Sequence, residues 1–185
     1  MSSLPAALRA DCSRCAGLCC VVPAFYSVQG FAYDKRPHTP CAHLTRADRC
    51  AIHAERAAHG FPGCVGFDCY GAGQRVTQEL LGGASWRSSH EAAARAFTAY
   101  SSLLALHRLM ATLAVAEATL SPQRAAPLRA RREQLDELCR TDDAQSGRLD
   151  IASLRSEVAS LLRATVARVP SATGSAHTRR RRTTS

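Results

Sequence analysis

The sequence predicts a mainly α protein: an irregular, metal-organised, cysteine-rich N-terminal module followed by a helical hairpin or three-helix part. Two observations carry this prediction. Eight of the nine cysteines precede residue 70, and the rest of the chain is rich in Ala and Leu, with apolar residues at three/four spacing. We therefore expect a cysteine-rich metal-binding module over residues 1–83, a helical domain over 84–170 and a disordered basic tail over 171–185.

The first four thiols lie within nine residues, at Cys12, Cys15, Cys19 and Cys20, and four more follow at Cys41, Cys50, Cys64 and Cys69. Thiols at this density are usually cross-linked or hold metal. On a helix, Cys12, Cys15 and Cys19 would share one face. On a turn, the Cys-x-x-Cys spacing lets two thiolates converge on one ion. Either geometry gathers the thiols in one place.

The number of thiols leaves several ligand sets open. Eight thiolates suffice for two tetrahedral sites, for one such site with an open exchange site, or for an iron–sulfur cluster held by four of them. Neighbouring side chains diverge in helix and strand, so Cys19 and Cys20 are expected to serve different sites, or one is spare. His53 follows Cys50 at Cys-x-x-His spacing and is an additional candidate ligand, although a loop histidine is often a plain surface group.

The segments around the later cysteines predict turns and short elements. Residues 21–40 mix prolines with aromatics and indicate an ordered loop or a short strand pair. The segments 41–44 and 50–53 flank a polar loop, and this hairpin-like arrangement would bring Cys41 and Cys50 together. A short helix is predicted over 74–81. The glycines before it lack the third glycine of a dinucleotide fingerprint and the Gly-Lys-Ser/Thr of a P-loop, which favours a plain turn.

Three amphipathic helices are predicted in the second half. Ser88 and Glu91 have the spacing of a capping box for a helix that runs to about residue 120. Ser121-Pro122 stops this helix and can start the next, which is expected over 127–139. The third is expected over 149–169. Short connections between such helices favour an antiparallel bundle or hairpin array, in which Cys139 is expected to be a small buried apolar residue.

Composition narrows the classes of function. The net charge of +9 is spread thinly apart from the arginines at 179–182, which argues against a dedicated nucleic-acid binder. No window reaches the roughly 18 apolar residues of a membrane span, and no signal-peptide pattern is present. The cytoplasm is therefore expected, where reduced thiols favour metal over disulfides. A secreted disulfide knot is the alternative.

The leading hypothesis is a metal-binding protein without an evident catalytic site, with zinc as the first choice and iron or an iron–sulfur cluster as the alternative. One rival is a redox protein that uses an iron–sulfur cluster or dithiol exchange. Another is an interaction module, in which the helical part binds a protein partner and the head is a zinc-stabilised cap. A catalytic Cys–His pair would be an odd design among so many competing thiols.

The cysteine pattern resembles the YkgJ-type cysteine-cluster family, described as a zinc- or iron-chelating domain with a CxxCxxCC signature. The order here is Cys12-x2-Cys15-x3-Cys19-Cys20, then Cys41-Ala-His-Leu, Arg49-Cys50-Ala-Ile52 and Cys64-x4-Cys69. This chain has one extra residue before the Cys-Cys pair, and Phe61-Pro62-Gly63 stands where the family commonly has Arg-Pro. The resemblance implies that the eight early cysteines are metal ligands.

The sequence is also similar, up to about residue 80, to the cysteine-rich N-terminal region of some bacterial pentapeptide-repeat proteins. The residues that carry this likeness include Leu18-Cys19-Cys20, Thr39-Pro40-Cys41 and the segment from Asp68 to Gln74. The five-residue repeats themselves are absent from this chain. The likeness therefore implies a metal-chelating module and no β-helix.

Overall fold

A computed structural model describes residues 4–167, apart from the side chain of Val166. Within this range the protein is mainly helical and forms no regular strand, which confirms the predicted fold class. The α-helices are α1 (Pro62–Val65), α2 (Ala72–Arg75), α3 (His90–Glu117), α4 (Pro122–Leu138), α5 (Asp142–Gln145) and α6 (Ile151–Ala167). The expected basic tail over 171–185 and the end of the third predicted helix lie outside the described residues.

The three long helices pack on one another, with α3 in contact with α4, α5 and α6 and α4 in contact with α6. Ser89 caps α3, and its side-chain oxygen accepts a hydrogen bond from the backbone N–H of Ala92. The predicted cap was Ser88, one residue too early. The helix begins at His90, so the residue directly before it, Ser89, is the N-cap. From that position its side-chain oxygen reaches the N–H three residues further on.

Helix α4 begins five residues before the predicted start, because Pro122 occupies its first turn and Pro127 lies inside the helix. A proline is well tolerated at the first helical position, since the N–H it lacks has no helical partner there. The prediction that this helix starts at about Pro127 was wrong, although the sequence analysis noted that Ser121-Pro122 could start it. The expected polar break contains the short helix α5, which Thr141 caps by accepting from the N–H of Ala144.

The head consists of single turns and two isolated antiparallel bridges. Its 3₁₀ turns are Ala6–Leu8, Cys12–Arg14, Leu18–Cys20, Ser27–Gln29 and His53–Glu55, and a sixth, Trp86–Ser88, precedes α3. Phe25 pairs with Lys35, and Leu44 pairs with Cys50. The second pair is the predicted hairpin, closed by the N–H of Thr45 donating to Arg49 O at 2.8 Å. The predicted short helix after Gly73 is α2 followed by one π turn, Val76–Leu80.

One hydrophobic core joins the head to the helices. Leu8 and Leu18 of the head pack in the same buried cluster as the central leucines of α3 and α4. The main members from the helices are Leu103, Leu106, Met110, Leu113, Leu128, Leu135 and Val158. A much smaller cluster of Phe25, Cys41 and Phe61 lies inside the head. The boundary near residue 83 stays a prediction, and the main core crosses it.

Helix α3 corrects one expectation from the sequence. It is long and apolar enough to cross a membrane, with a mean hydropathy of 1.3 over its most apolar window, so the expectation that no segment reaches this length was wrong. In the fold, 56% of that window is buried against other parts of the chain. Its apolar character is accounted for by its place at the centre of the core.

Candidate metal centre

The first two cysteines lie on a loop whose carbonyl groups are held by side chains from distant segments. Arg49 donates one hydrogen bond to Cys15 O at 2.5 Å and another to Ser13 O at 2.6 Å. Gln78 donates to Arg14 O at 2.8 Å, and Trp86 donates to Ala16 O at 3.0 Å. The Cys-x-x-Cys loop is thus fixed from the hairpin, the π turn and the segment before α3.

The Cys19-Cys20 pair begins after a glycine that the geometry requires. Gly17 has a φ of 66°, and an added Cβ would lie 2.7 Å from Leu44 Cδ1 and 2.9 Å from Asp48 O. A residue with a side chain would be strained in this left-handed conformation and would also push the hairpin away. Gly17 therefore lets the turn Leu18–Cys20 start directly under the hairpin, with Leu18 fully buried.

The hairpin and the late cysteines complete the set. The N–H of Cys41 donates to Cys20 O at 2.8 Å, and Cys41 Sγ lies 3.2 Å from the Tyr33 hydroxyl. Cys64 lies on α1. Cys69 precedes Tyr70, whose carbonyl oxygen accepts a 2.6 Å hydrogen bond from His107 Nδ1 of α3. The late cysteines are thereby tied to the central helix.

These elements converge on one cavity of about 560 Å³. Seven of the eight early cysteines line it, namely Cys12, Cys15, Cys19, Cys20, Cys50, Cys64 and Cys69. Cys41 is buried next to it. All nine cysteines are free thiols. Seven of the early thiols thus share the lining of one cavity, and Cys41 is not among its lining residues. That these cysteines are ligands stays a prediction.

The cysteines fit a metal in the type of their donor atoms and in their shared location. Free thiols are suitable ligands for zinc or iron, and they share one cavity. Among the residues that the structure describes, however, no three or more His, Cys, Asp or Glu side chains are arranged so that they could hold an ion. Binding would therefore require rotation of the cysteine side chains.

The thiols make each other harder to ionise. Burial raises the pKa of Cys15 and of Cys64 to about 11. The pKa of Cys12 is raised by burial and then by the nearby Cys19 and Cys69. Two thiolates side by side repel each other, and a bound cation would offset this repulsion while displacing protons. The cluster therefore favours protons or a cation over free thiolates.

Two buried donors at the thiols have no hydrogen-bond partner among the described residues. They are Arg56 Nε and the Tyr100 hydroxyl. Another nitrogen of Arg56 donates to Cys64 O at 3.1 Å, and its guanidinium lowers the pKa of Cys12 and Cys19 against the effect of burial. A buried donor without an acceptor costs free energy. Each of these two donors would therefore be stabilised by an acceptor placed next to it.

The remaining predicted residues fall outside the cluster of thiols. His53 is exposed and lines the cavity. Its role as an additional ligand stays a prediction. Cys139 is 2% exposed, and its thiol donates to Leu135 O at 3.3 Å. It lies in the helical core, as the sequence predicted. Gly71 is one of the glycines before the predicted short helix. An added Cβ there would lie 2.7 Å from Ala7 O, so the lack of a side chain at Gly71 allows close packing of the chain.

Sequence reasoning missed the residues that support the thiols. Arg49 stands next to Cys50 in the quoted motif, and its position there was the one available signal. Arg56, Gln78, Trp86 and Tyr100 carry no local signal, because the fold brings each of them to residues that are distant in the sequence; Gln78 and Trp86, for example, act across 64 and 70 residues. The nearest of these contacts, Arg56 to Cys64 O, spans 8 residues.

No protein-family model matches the chain, and no solved structure matches it. Over 103 residues, which are 56% of this chain, the sequence is 40% identical to "Uncharacterized protein YybG" of Bacillus subtilis (strain 168). The matched part is 37% of that protein, so the chain spans little more than a third of this relative. The similarities to the YkgJ-type family and to pentapeptide-repeat proteins stay predictions.

Proposed function

We propose that this protein binds a thiophilic metal ion through its cysteine-rich head, with the eight early cysteines as the ligand pool and zinc as the first choice. The observation that carries the proposal is the convergence of seven free thiols on one cavity. A packing role would not need seven thiols on one cavity, and Cys139 in the helical core illustrates what such a role looks like.

The small size of the head's own core also supports a cross-linked structure. Its separate cluster contains three buried residues, Phe25, Cys41 and Phe61. The head's other buried apolar residues, such as Leu8 and Leu18, belong to the core that it shares with the helices. A segment whose own core is this small commonly depends on disulfides, on metal or on packing against another part of the chain. Thiolate-bound metal would supply the missing cross-links. Arg56 lines the cavity, and its Nε has no hydrogen-bond partner among the described residues, so it suits an anionic group such as a metal thiolate.

A cytoplasmic location belongs to the same proposal, because the ligand thiols must remain reduced. Iron or an iron–sulfur cluster is the second candidate, favoured by the volume of the cavity, about 560 Å³, which exceeds the space of a single ion. Neither candidate gives the chain a catalytic step.

Native mass spectrometry of the full chain, before and after treatment with a chelator, tests the proposal. We expect a mass excess equal to one or two zinc ions that the chelator removes, together with chelator-dependent alkylation of the early cysteines. Cys139 is the internal control, since its alkylation should not respond to the chelator. A protein with no bound metal after purification and zinc addition under reducing conditions would contradict the proposal.

Absorption separates the two metals. A cysteine-ligated iron–sulfur centre absorbs visible light, whereas zinc does not. If the protein contains no metal and its mass is lower by two hydrogens for each pair of cysteines, the cysteines form disulfides. That result would contradict both the metal and the cytoplasmic location.

A further inference from the structure

We infer that Cys12, Cys15, Cys19 and Cys69 form one mononuclear metal site beneath α3, and that the Tyr100 hydroxyl donates a hydrogen bond to its thiolates. This inference rests on the proposed metal binding and specifies which thiols share an ion. It also assigns a positioning role to a tyrosine of the helical part.

A second, small cavity distinguishes these four thiols from the others. It has a volume of about 20 Å³, and Cys12, Cys15, Cys19 and Cys69 line it together with Gly73 and Tyr100. A space of this size holds about one water-sized particle. Because no three of these side chains are arranged around an ion as they stand, the cysteines would have to rotate towards this space. The space then suits a single ion and is too small for an iron–sulfur cluster.

Gly73 makes room for one of the four sulfurs. An added Cβ at Gly73 would lie 2.7 Å from Cys15 Sγ and 3.6 Å from Tyr100 Cε2. The absence of a side chain at Gly73 of α2 therefore leaves the space that the Cys15 sulfur uses. Cys15, Gly73 and Tyr100 all line the small cavity.

Tyr100 supplies the independent observation. Its side chain is 1% exposed, and its hydroxyl has no hydrogen-bond partner among the described residues. A phenol is protonated at neutral pH, so the hydroxyl is available as a donor. A buried tyrosine hydroxyl normally finds a partner. Thiolates held by an ion in the small cavity would provide that acceptor.

Charge favours the same arrangement. Four thiolates around a divalent ion carry a net negative charge, which is costly to bury without compensation. Arg56 lines the larger cavity together with Cys12 and Cys19. The site would thus have one cationic neighbour and one neutral hydrogen-bond donor, which are typical outer partners of a metal ligand.

Zinc titration against a competing chelator tests the role of Tyr100 in the full chain. Tyr100→Phe keeps the ring and removes the hydroxyl, so we expect unchanged zinc stoichiometry and about 10-fold weaker binding of one ion. Tyr26→Phe, at a tyrosine that is 49% exposed, is the matched control and should bind as the wild type does. Equal zinc affinity of Tyr100→Phe and wild type would overturn the assignment of the hydroxyl.

Alkylation of the zinc-saturated protein tests the ligand set. In Cys69→Ser, Cys12 and Cys15 should become reactive while Cys41 and Cys50 react as in the wild type. Continued protection of Cys12 and Cys15 would overturn the grouping. If Cys69→Ser does not fold, the Tyr100→Phe titration still decides the role of the hydroxyl. Failure of the wild type to bind zinc would refute the proposed function itself, whereas binding without these effects would refute the inference alone.

Discussion

The head and the helical part are stabilised by different kinds of contact. In the helical part, leucine and alanine side chains of α3, α4 and α6 fill a continuous core. In the head, polar side chains such as Arg49 and Gln78 hold loop carbonyls, and its own apolar cluster is small. The comparison shows that apolar packing holds the helices, whereas polar hydrogen bonds position the loops that carry the thiols. Helix α3 takes part in both, because it packs in the core and also contacts the head.

The largest expected effect is the response of the two regions to a chelator. If metal cross-links the head, its removal should expose the amides of residues 10–70 to hydrogen exchange, whereas α3 and α4 should keep most of their protection. Hydrogen exchange followed by mass spectrometry measures both regions at once. Equal loss of protection in the head and in α4 would show that the two regions unfold as one unit.

A smaller effect is expected from a cavity in the helical core. Leu106 is fully buried on α3, so Leu106→Ala should lower the free energy of unfolding by about 3 kcal/mol. Val115 on the same helix is 55% exposed, and Val115→Ala should change it by less than about 0.5 kcal/mol. Denaturant unfolding in the presence of zinc provides the measurement. Similar losses for both variants would contradict the central position of α3.

The smallest effect concerns the one thiol of the helical part. Burial raises the pKa of Cys139 from its ordinary 9.0 to about 12, so the folded protein retains this proton longer than the unfolded chain. The stabilising contribution is complete below pH 9 and is lost as the pH rises from 9 towards 12. Between neutral pH and about pH 10, the wild type should lose about 1 kcal/mol more stability than Cys139→Ala does.

Unfolding of both proteins at the two pH values measures this difference. A parallel decline of the two would mean that Cys139 is not buried in its neutral form. The chelator should leave the alkylation rate of Cys139 unchanged, in contrast to the thiols of the head. The two responses together separate a packed thiol from a ligand thiol.

The sequence was most informative where structure is local. Helical periodicity predicted α3, α4 and α6, and the spacing of Cys41 and Cys50 predicted the hairpin. Errors of one residue at Ser89 and of five at Pro122 arose because caps and prolines allow more than one starting point.

The sequence predicted which cysteines could act as metal ligands, but it did not predict which other residues surround them. Cysteine density points to a thiol cluster without any knowledge of the fold. Tyr100 could be placed on the buried face of a helix, together with Leu103 and His107, from spacing alone. That Tyr100 shares a small cavity with thiols more than 30 residues away depends on how α3 docks on the head, and this placement has no signature in the local sequence.

The shared core also sets an order of events during synthesis. The eight thiols of the head leave the ribosome before α3, yet Leu8, Leu18 and Val22 have their main packing partners on that helix. Until about residue 110 has emerged, the nascent head lacks those partners, and its cysteines are open to oxidation and to incorrect metal ions. The docking of α3 is therefore a late step, and only after it do the thiols of the head reach their final, mostly partial, burial.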